Sequence, residues 1–282
     1  MATVFEKISG DDKIFSNKEY VADSLMFNSI ETARNDGNYD MYSDHRSVII
    51  LTEKNGHKVW LWTSTAIKED TNKLIDICRF LRDCNIPRAE IYLKQDVSGT
   101  FSDLYALATL EINYVVKDEF SMAVYTFAGD KVSGLSETDK SKGEEIILID
   151  KNNEKHRSMV RKYFETLKDE FRWNEKFERK IDEYLSTELY AYVKDGEMIA
   201  NAALAGKTEH YIRIKSIAVR EDMRRKGYGY RMVAFAVGCI RERGLTPVLY
   251  SHVGNESAVA LWSKAGFKAK DKLYLLKIEN QD

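Results

Sequence analysis

A basic turn punctuated by glycine, Arg224-Arg225-Lys226-Gly227-Tyr228-Gly229, constrains this chain more than any other stretch. The run before it, with Ile212, Ile214, Ile217 and Val219 among its apolar positions, reads as a strand, and a helical pattern follows it. Glycines at this spacing let the backbone curl until several N–H groups point into one concavity. A helix that begins directly afterwards adds free amides and the positive end of its dipole, which favour a bound anion. Three cations beside such a nest point to a polyphosphate ligand. The net charge of the 282 residues is only −2, so the basic turn is a local feature. It suits a small anionic ligand better than a nucleic-acid surface.

A second block follows at a short distance. Val248 to Val253 has the pattern of another strand, and Asn255 leads into a helix through Trp262 that stops at Gly266, where a left-handed C-cap is expected. The two blocks together, Arg224-x-x-Gly227-x-Gly229 and Asn255-x-x-Ala258-x-x-Leu261-Trp262-x-Lys264-x-Gly266-Phe267, resemble the GNAT acyl-CoA N-acyltransferase superfamily. The first resembles its pyrophosphate signature and the second its later helical motif.

This resemblance implies acetyl-CoA as co-substrate, no metal, and acetyl transfer to a primary amine by direct attack in a ternary complex. Arg224, Arg225, Lys226, Gly227, Tyr228, Gly229 and the amide of Tyr230 would hold the pyrophosphate. The strand edge at Ile217, Ala218 and Val219 would pair with the peptide-like pantetheine arm. In the family this strand splays from its neighbour, here Pro247–Val253, and the gap takes the cofactor. A backbone N–H at Ile217 or Val219 would then polarise the thioester carbonyl. Asn255 either bonds the arm or leaving sulfur, or caps the following helix. Trp262 either packs on the arm or fills core.

The chain departs from the family pattern where protons are moved. Arg213 stands near the position of the family's usual glutamate base, and Trp262 replaces a tyrosine acid. Indole N–H donates a hydrogen bond but supplies no proton at ordinary pH. Replacement bases are His252, since an unperturbed histidine titrates in the useful range, and Glu209 beside His210. Tyr250 is the nearest replacement phenol. Each has a plain alternative as a surface or core group. The segment Asp169–Glu175, acids among aromatics between two helices, suits either a cationic acceptor or a solvated junction.

Along the chain, residues 16–36 read as a helix, and two β-rich runs flank a hairpin signal at Asn55-Gly56. A helix over Asp70–Cys84, Pro87, a strand over Glu90–Lys94, a helix around Ser102–Leu110 and strands at Tyr114–Val116 and Ser121–Phe127 follow. Beyond a Gly/Ser/Asp/Lys-rich stretch come the strand EEIILID, helices near 153–171 and 174–186, a hairpin turning at Asp195-Gly196, the motif blocks, and a closing strand at 274–278. The halves repeat the order helix, hairpin, helix, Pro, strand, helix, terminal strands. The expectation is α/β (α+β) with two GNAT-like domains, each a mixed, mostly antiparallel sheet flanked by helices. Residues 1–127 form a degenerate copy lacking the strand equivalent to 210–219, 128–143 a linker, and 144–282 the catalytic domain.

Cys78, Cys84 and Cys239 make an odd, helical set without metal-ligand spacing, so they read as reduced thiols in a cytoplasmic protein. No apolar stretch has signal-peptide or membrane-span form. The expected partner is a small-molecule amine, with no nucleic acid and no membrane, and the protein a monomer or homodimer. Two alternatives stand beside the enzyme. One is a catalytically inactive acyl-CoA-binding sensor or scaffold, and the other an aminoacyl-tRNA-dependent transferase, which the intact turn disfavours.

Overall fold

The computed structural model describes residues 4–34, 39–53, 58–84, 88–94, 114–129, 132, 143–173 and 176–280. The Asn55-Gly56 turn, Pro87, the helix expected around Ser102–Leu110 and most of the expected linker lie outside the described residues. The chain divides into two compact units: Met1–Val124 with Tyr250–Asn255 and Ala269–Asp282, and Tyr125–Leu249 with Glu256–Lys268.

In the first unit, strands β1 (Glu6–Lys7), β2 (Tyr39–Ser43), β3 (Val48–Glu53) and β4 (Lys58–Thr63) pair antiparallel in order. β4 then pairs parallel with β5 (Arg88–Lys94), and the end of the chain closes on β5 in antiparallel register, Leu273 opposite Lys94. Helices α1 (Lys18–Asp23) and α2 (Asn28–Ala33) fill the range expected as one helix. The helix breaks because Ser24 turns its hydroxyl onto the Val21 carbonyl (2.9 Å), while Met26 and Phe27 go into the core with Tyr20 and Ile30. α3 (Thr71–Asp83) covers its expected range, with Leu74, Ile77, Cys78 and Leu81 on one buried face. The segments expected at Tyr114–Val116 and Ser121–Phe127 are one strand, β6 (Tyr114–Phe127).

One expectation is overturned here. The first unit does have the strand thought missing: β4 pairs parallel with β5 as β10, described below, pairs with β11. The hairpin around Asn55-Gly56 therefore corresponds to the later hairpin of its unit, and β2 is the strand the sequence pattern passed over. Its sequence YDMYS lacks the aliphatic run that marks β3 and β4.

The β2–β3 turn is held by a half-hidden carboxylate. Asp44 accepts from the amides of Arg46, Ser47 and Val48, from the Ser47 hydroxyl, and from Lys73 Nζ at 2.7 Å. Burial disfavours the charged form, but the hydrogen bonds from Lys73, Ser47 and Arg46 outweigh it and lower Asp44 to about 2. Its contribution is complete above the unfolded value of about 3.9 and is lost as pH falls through the folded value near 2. Asp44→Asn is expected to lose this part of the pH dependence, so the stability gap between the two chains, read by urea unfolding, should shrink from pH 5 downward.

The second unit orders its strands β11-β10-β9-β8-β7. β7 (Glu144–Leu148), β8 (Glu188–Lys194), β9 (Glu197–Ala205) and β10 (Tyr211–Val219) are antiparallel, while β10 and β11 (Thr246–His252) run parallel. The β8–β9 turn puts Asp195 at φ 51° and Gly196 at φ 79°, the two positive values that a two-residue hairpin needs. Alternation along β8 separates two layers. Leu189, Ala191 and Val193 pack with α4 (Glu154–Glu165) and α5 (Phe177–Leu185). Tyr190 and Tyr192 meet Phe235 and Tyr228 of α6 (Tyr228–Arg241) on the opposite face. α7 (Glu256–Lys264) leads to Gly266, at φ 94°, and then to β12 (Phe267–Asn280). Both α4 and α5 are shorter than expected, which leaves 166–173 as a junction of turns.

Candidate active site

β10 is where the regular sheet gives way. Its pairing with β9 shifts register between Ile214 and Ser216, a bulge at Lys215. Its parallel pairing with β11 covers only Tyr211, Ile212 and Arg213, opposite Thr246, Pro247 and Val248. From Ile214 to Val219, β10 is paired on the β9 side alone among the described residues. The Arg220 amide donates to the Ile199 carbonyl of β9 at 2.9 Å. Because donors alternate along a strand, the N–H groups of Val219 and Ile217 point the other way, into the splay.

Directly after β10 the backbone makes the turn read from the sequence. Arg225 lies at φ 62° and Gly227 at φ 87°, the left-handed conformation that glycine adopts without penalty. Gly227 is the N-cap of α6 and has no side chain to cap it, so the first amides of the helix, from Tyr228 on, have no intrahelical acceptor. Arg224, Arg225, Lys226 and Gly227 are all exposed. Arg224 Nε donates to the Val219 carbonyl (3.0 Å), and Lys226 Nζ to the Asp222 carbonyl (2.9 Å).

Gly229 sits where β10, α6 and α7 converge. A Cβ placed there would meet Val219 Cγ2 at 3.5 Å and Leu261 Cδ2 at 3.6 Å, ordinary contact distances. Gly229→Ala is therefore expected to leave acetyl-CoA affinity within about threefold, under 0.7 kcal/mol, in a calorimetric titration. Lys264 brings a further cation to this corner, 5.1 Å above the Tyr230 ring.

Under the turn lies a polar cluster that the sequence did not reveal. Glu144, 4% exposed, accepts from Tyr192 Oη (2.8 Å), Arg231 Nη1 (3.0 Å), Lys194 Nζ (3.3 Å) and Tyr228 Oη (3.3 Å). Burial raises the carboxyl's pKa, but Tyr192, Lys194 and Arg231 together hold it below the usual range. Since Tyr228 opens α6 and Arg231 completes its first turn, the cluster fixes the helix end that presents the free amides. On the other face, Tyr163 Oη lies 2.9 Å from the Ala218 carbonyl, to which it donates, and 3.1 Å from Asn201 Oδ1. Neither Glu144 nor Asn201 had a local sequence signal.

The remaining sequence candidates fall out differently. Trp262 is buried against Phe267, and its Nε1 has no hydrogen-bond partner among the described residues, an orphaned donor that a ligand carbonyl would satisfy. Asn255 stands immediately before α7, and its amide bonds the His252 carbonyl (3.1 Å). His252, at the end of β11, is exposed. Asn255, His252 and Tyr250 belong to the first unit. The Tyr250 hydroxyl donates to the Met26 carbonyl (2.9 Å), and its ring lies 6.1 Å from Trp60. Glu209 is exposed at the start of β10; Ile217 stands eight residues further on, roughly 25 Å along an extended strand. Among the described residues no group of His, Cys, Asp or Glu is arranged to hold a metal, and no helix is long and apolar enough to cross a membrane.

A bulged strand splaying from its parallel neighbour, followed by a glycine turn that opens a helix, makes an α/β domain with free amides suited to an anionic ligand. Residues 156–267 match the sequence model of the acetyltransferase (GNAT) family. Solved structures share the fold at low identity. A Drosophila protein from a structural-genomics consortium is 14% identical over 98% of both chains, with a TM-score of 0.65. A GCN5-related N-acetyltransferase from Sphaerobacter thermophilus is 13% identical over 98% of this chain and 95% of its own, with a TM-score of 0.61. A tandem GNAT protein from the clavulanic acid biosynthesis pathway is 10% identical over 98% of both, with a TM-score of 0.59. No curated protein sequence matches. The expected fold, two GNAT-like domains of mixed, mostly antiparallel sheet flanked by helices, is the fold found. The family is one of acyl-CoA N-acyltransferases that use acetyl-CoA as co-substrate and act on amines of small molecules or proteins.

Proposed function

We propose that this protein is an N-acetyltransferase that moves acetyl from acetyl-CoA to a primary amine of a small molecule by direct attack. The observation that carries this reading is the uncapped, left-handed Gly227 nest at the end of a strand whose Val219 and Ile217 N–H groups face the splay. The turn Arg224–Tyr230 binds the pyrophosphate, and β10 at Ile217, Ala218 and Val219 pairs with the pantetheine arm. One of the outward N–H groups stabilises the oxyanion as the amine adds to the thioester carbon. The C–N bond forms, the C–S bond breaks, and the amine proton leaves with the help of a base. Asn255 and Trp262 donate to the arm. His252 is proposed as that base, an imidazole being able to accept the amine's proton. Glu209 and Tyr250 are not carried forward, given the distance of the first and the Met26 bond of the second.

The domain roles expected from sequence, 1–127 as degenerate copy and 144–282 as catalytic domain, are part of the proposal. So are a cytoplasmic setting and a monomer or homodimer. Arg213 on β10, in place of a carboxylate, favours one second reading, a non-catalytic acyl-CoA sensor. The experiment that separates the two is release of free CoA thiol across diamines, amino acids, aminoglycosides and lysine peptides. Turnover with at least one amine supports the enzyme. Tight acetyl-CoA binding with no release across the panel supports the sensor.

A further inference from the structure

The junction between α4 and α5 meets the turn after β10 through an ion pair among the described residues. Glu170 accepts from Arg224 Nη2, while Nε of the same guanidinium donates to the Val219 carbonyl at 3.0 Å. Arg224 thus joins the last residue of β10 to the junction. The side chains of the pair are 38% and 49% exposed, so burial does not lock them together and a stronger anion can displace the carboxylate. A pyrophosphate is such an anion, with more charge and oxygens spaced for a guanidinium fork.

Glu170 is followed in the chain by Phe171 and Trp173, the outer members of an aromatic cluster whose inner rings, Phe164 and Tyr184, are buried. Trp173 stands 4.8 Å from Phe171, 5.3 Å from Phe164 and 5.5 Å from Tyr184, ring centre to ring centre. Phe171 and Trp173 are only half-buried. Lys215, the bulge residue of β10, holds its ammonium 5.2 Å from the Tyr184 ring centre, so this cluster already receives a cation on its face. Between Phe171 and Trp173, Arg172 is held at φ 55°, a conformation that non-glycine residues adopt at some cost. A carboxylate next to aromatic faces is the chemistry that binds an alkylammonium group.

Resting on the acyltransferase reading above, we propose that Glu170 exchanges partners. In the free protein it pairs with Arg224. When the acyl-CoA pyrophosphate takes Arg224, Glu170 is released to hold the ammonium of a cationic aliphatic amine, which is the acceptor class of this site. Acyl-CoA and acceptor then strengthen each other's binding by one shared factor, since coupling is reciprocal.

The test is calorimetry on the full chain with coenzyme A and with 1,5-diaminopentane. Glu170→Gln, uncharged and of the same shape, is expected to bind coenzyme A about two- to fivefold tighter, the worth of an exposed ion pair no longer broken. Pantetheine, which lacks the pyrophosphate, is expected to bind both chains alike. Diaminopentane is expected to bind the unchanged chain about two- to fivefold tighter when coenzyme A is saturating, and Glu170→Gln abolishes that gain. Coenzyme A binding no tighter in Glu170→Gln overturns the exchange, as does tightening of pantetheine in equal measure. Diaminopentane that does not bind, or is indifferent to coenzyme A, overturns the acceptor class. If the unchanged chain fails to bind coenzyme A at all, the acyltransferase reading itself fails. If it binds without these shifts, only the exchange does.

Discussion

Gly227→Asp is expected to weaken acetyl-CoA binding by at least about a hundredfold while the protein stays folded, because it places a carboxylate among amides that await a phosphate. The structure gives the separation between affinity and folding. A Cβ at Gly227 would meet nothing within 4 Å, and aspartate is among the few residues that visit the left-handed region in which its φ of 87° lies. Gly227→Asn has nearly the same shape and the same tolerance without the charge, so it is expected to lose only about tenfold. Calorimetric titration of both, with circular dichroism to verify folding, reads the result. Equal losses would mean that backbone strain rather than charge governs the turn, and two unaffected variants would remove the turn from the cofactor site.

The second large effect is on stability. Glu144→Ala takes the shared acceptor from Arg231, Lys194, Tyr192 and Tyr228, leaving two cations without their carboxylate. Removing one partner of a buried ion pair costs about 3–5 kcal/mol; here both cations are 29% exposed, so water recovers part of it and about 2–3 kcal/mol is expected. Glu144→Gln keeps an acceptor and is expected to lose less. Because the carboxyl's folded pKa is depressed, its contribution is full above the ordinary glutamate value and declines as pH falls below it. Urea unfolding followed by probes in each unit is the appropriate readout, since a chain of two units need not unfold in one step. The same substitution loosens the first turn of α6, so acetyl-CoA affinity is expected to fall with stability. Unchanged stability would mean that the cluster is solvated rather than structural.

What could be read from the sequence was what depends on neighbours in the chain. The strand, nest and helix from Ile212 to Arg241 are set by glycine conformations and apolar spacing, and they stand where the pattern put them. The same holds for the Asp195-Gly196 turn and the Gly266 cap. The misplaced strand of the first unit came from treating two similar hairpin signals as equivalent, when only the parallel pairing of β4 with β5 shows which hairpin corresponds to which. The groups that tune the site join residues far apart in sequence. Glu170 meets Arg224 across 54 positions, Glu144 meets Arg231 across 87, and Tyr250 is tied to Met26 across 224. No local pattern encodes such partners. Alternation along β11 likewise left Tyr250 open between site and core, and only the Met26 carbonyl shows how its hydroxyl is used.

The measurement that bears most directly on this account is a calorimetric titration of the whole chain with acetyl-CoA, repeated with Gly227→Asp. The account predicts saturable micromolar binding at one site per chain, lost in the variant. A second site per chain would show that the first unit binds the cofactor as well. No saturable binding, or binding that Gly227→Asp leaves intact, would contradict the assignment of the glycine turn and the function built on it.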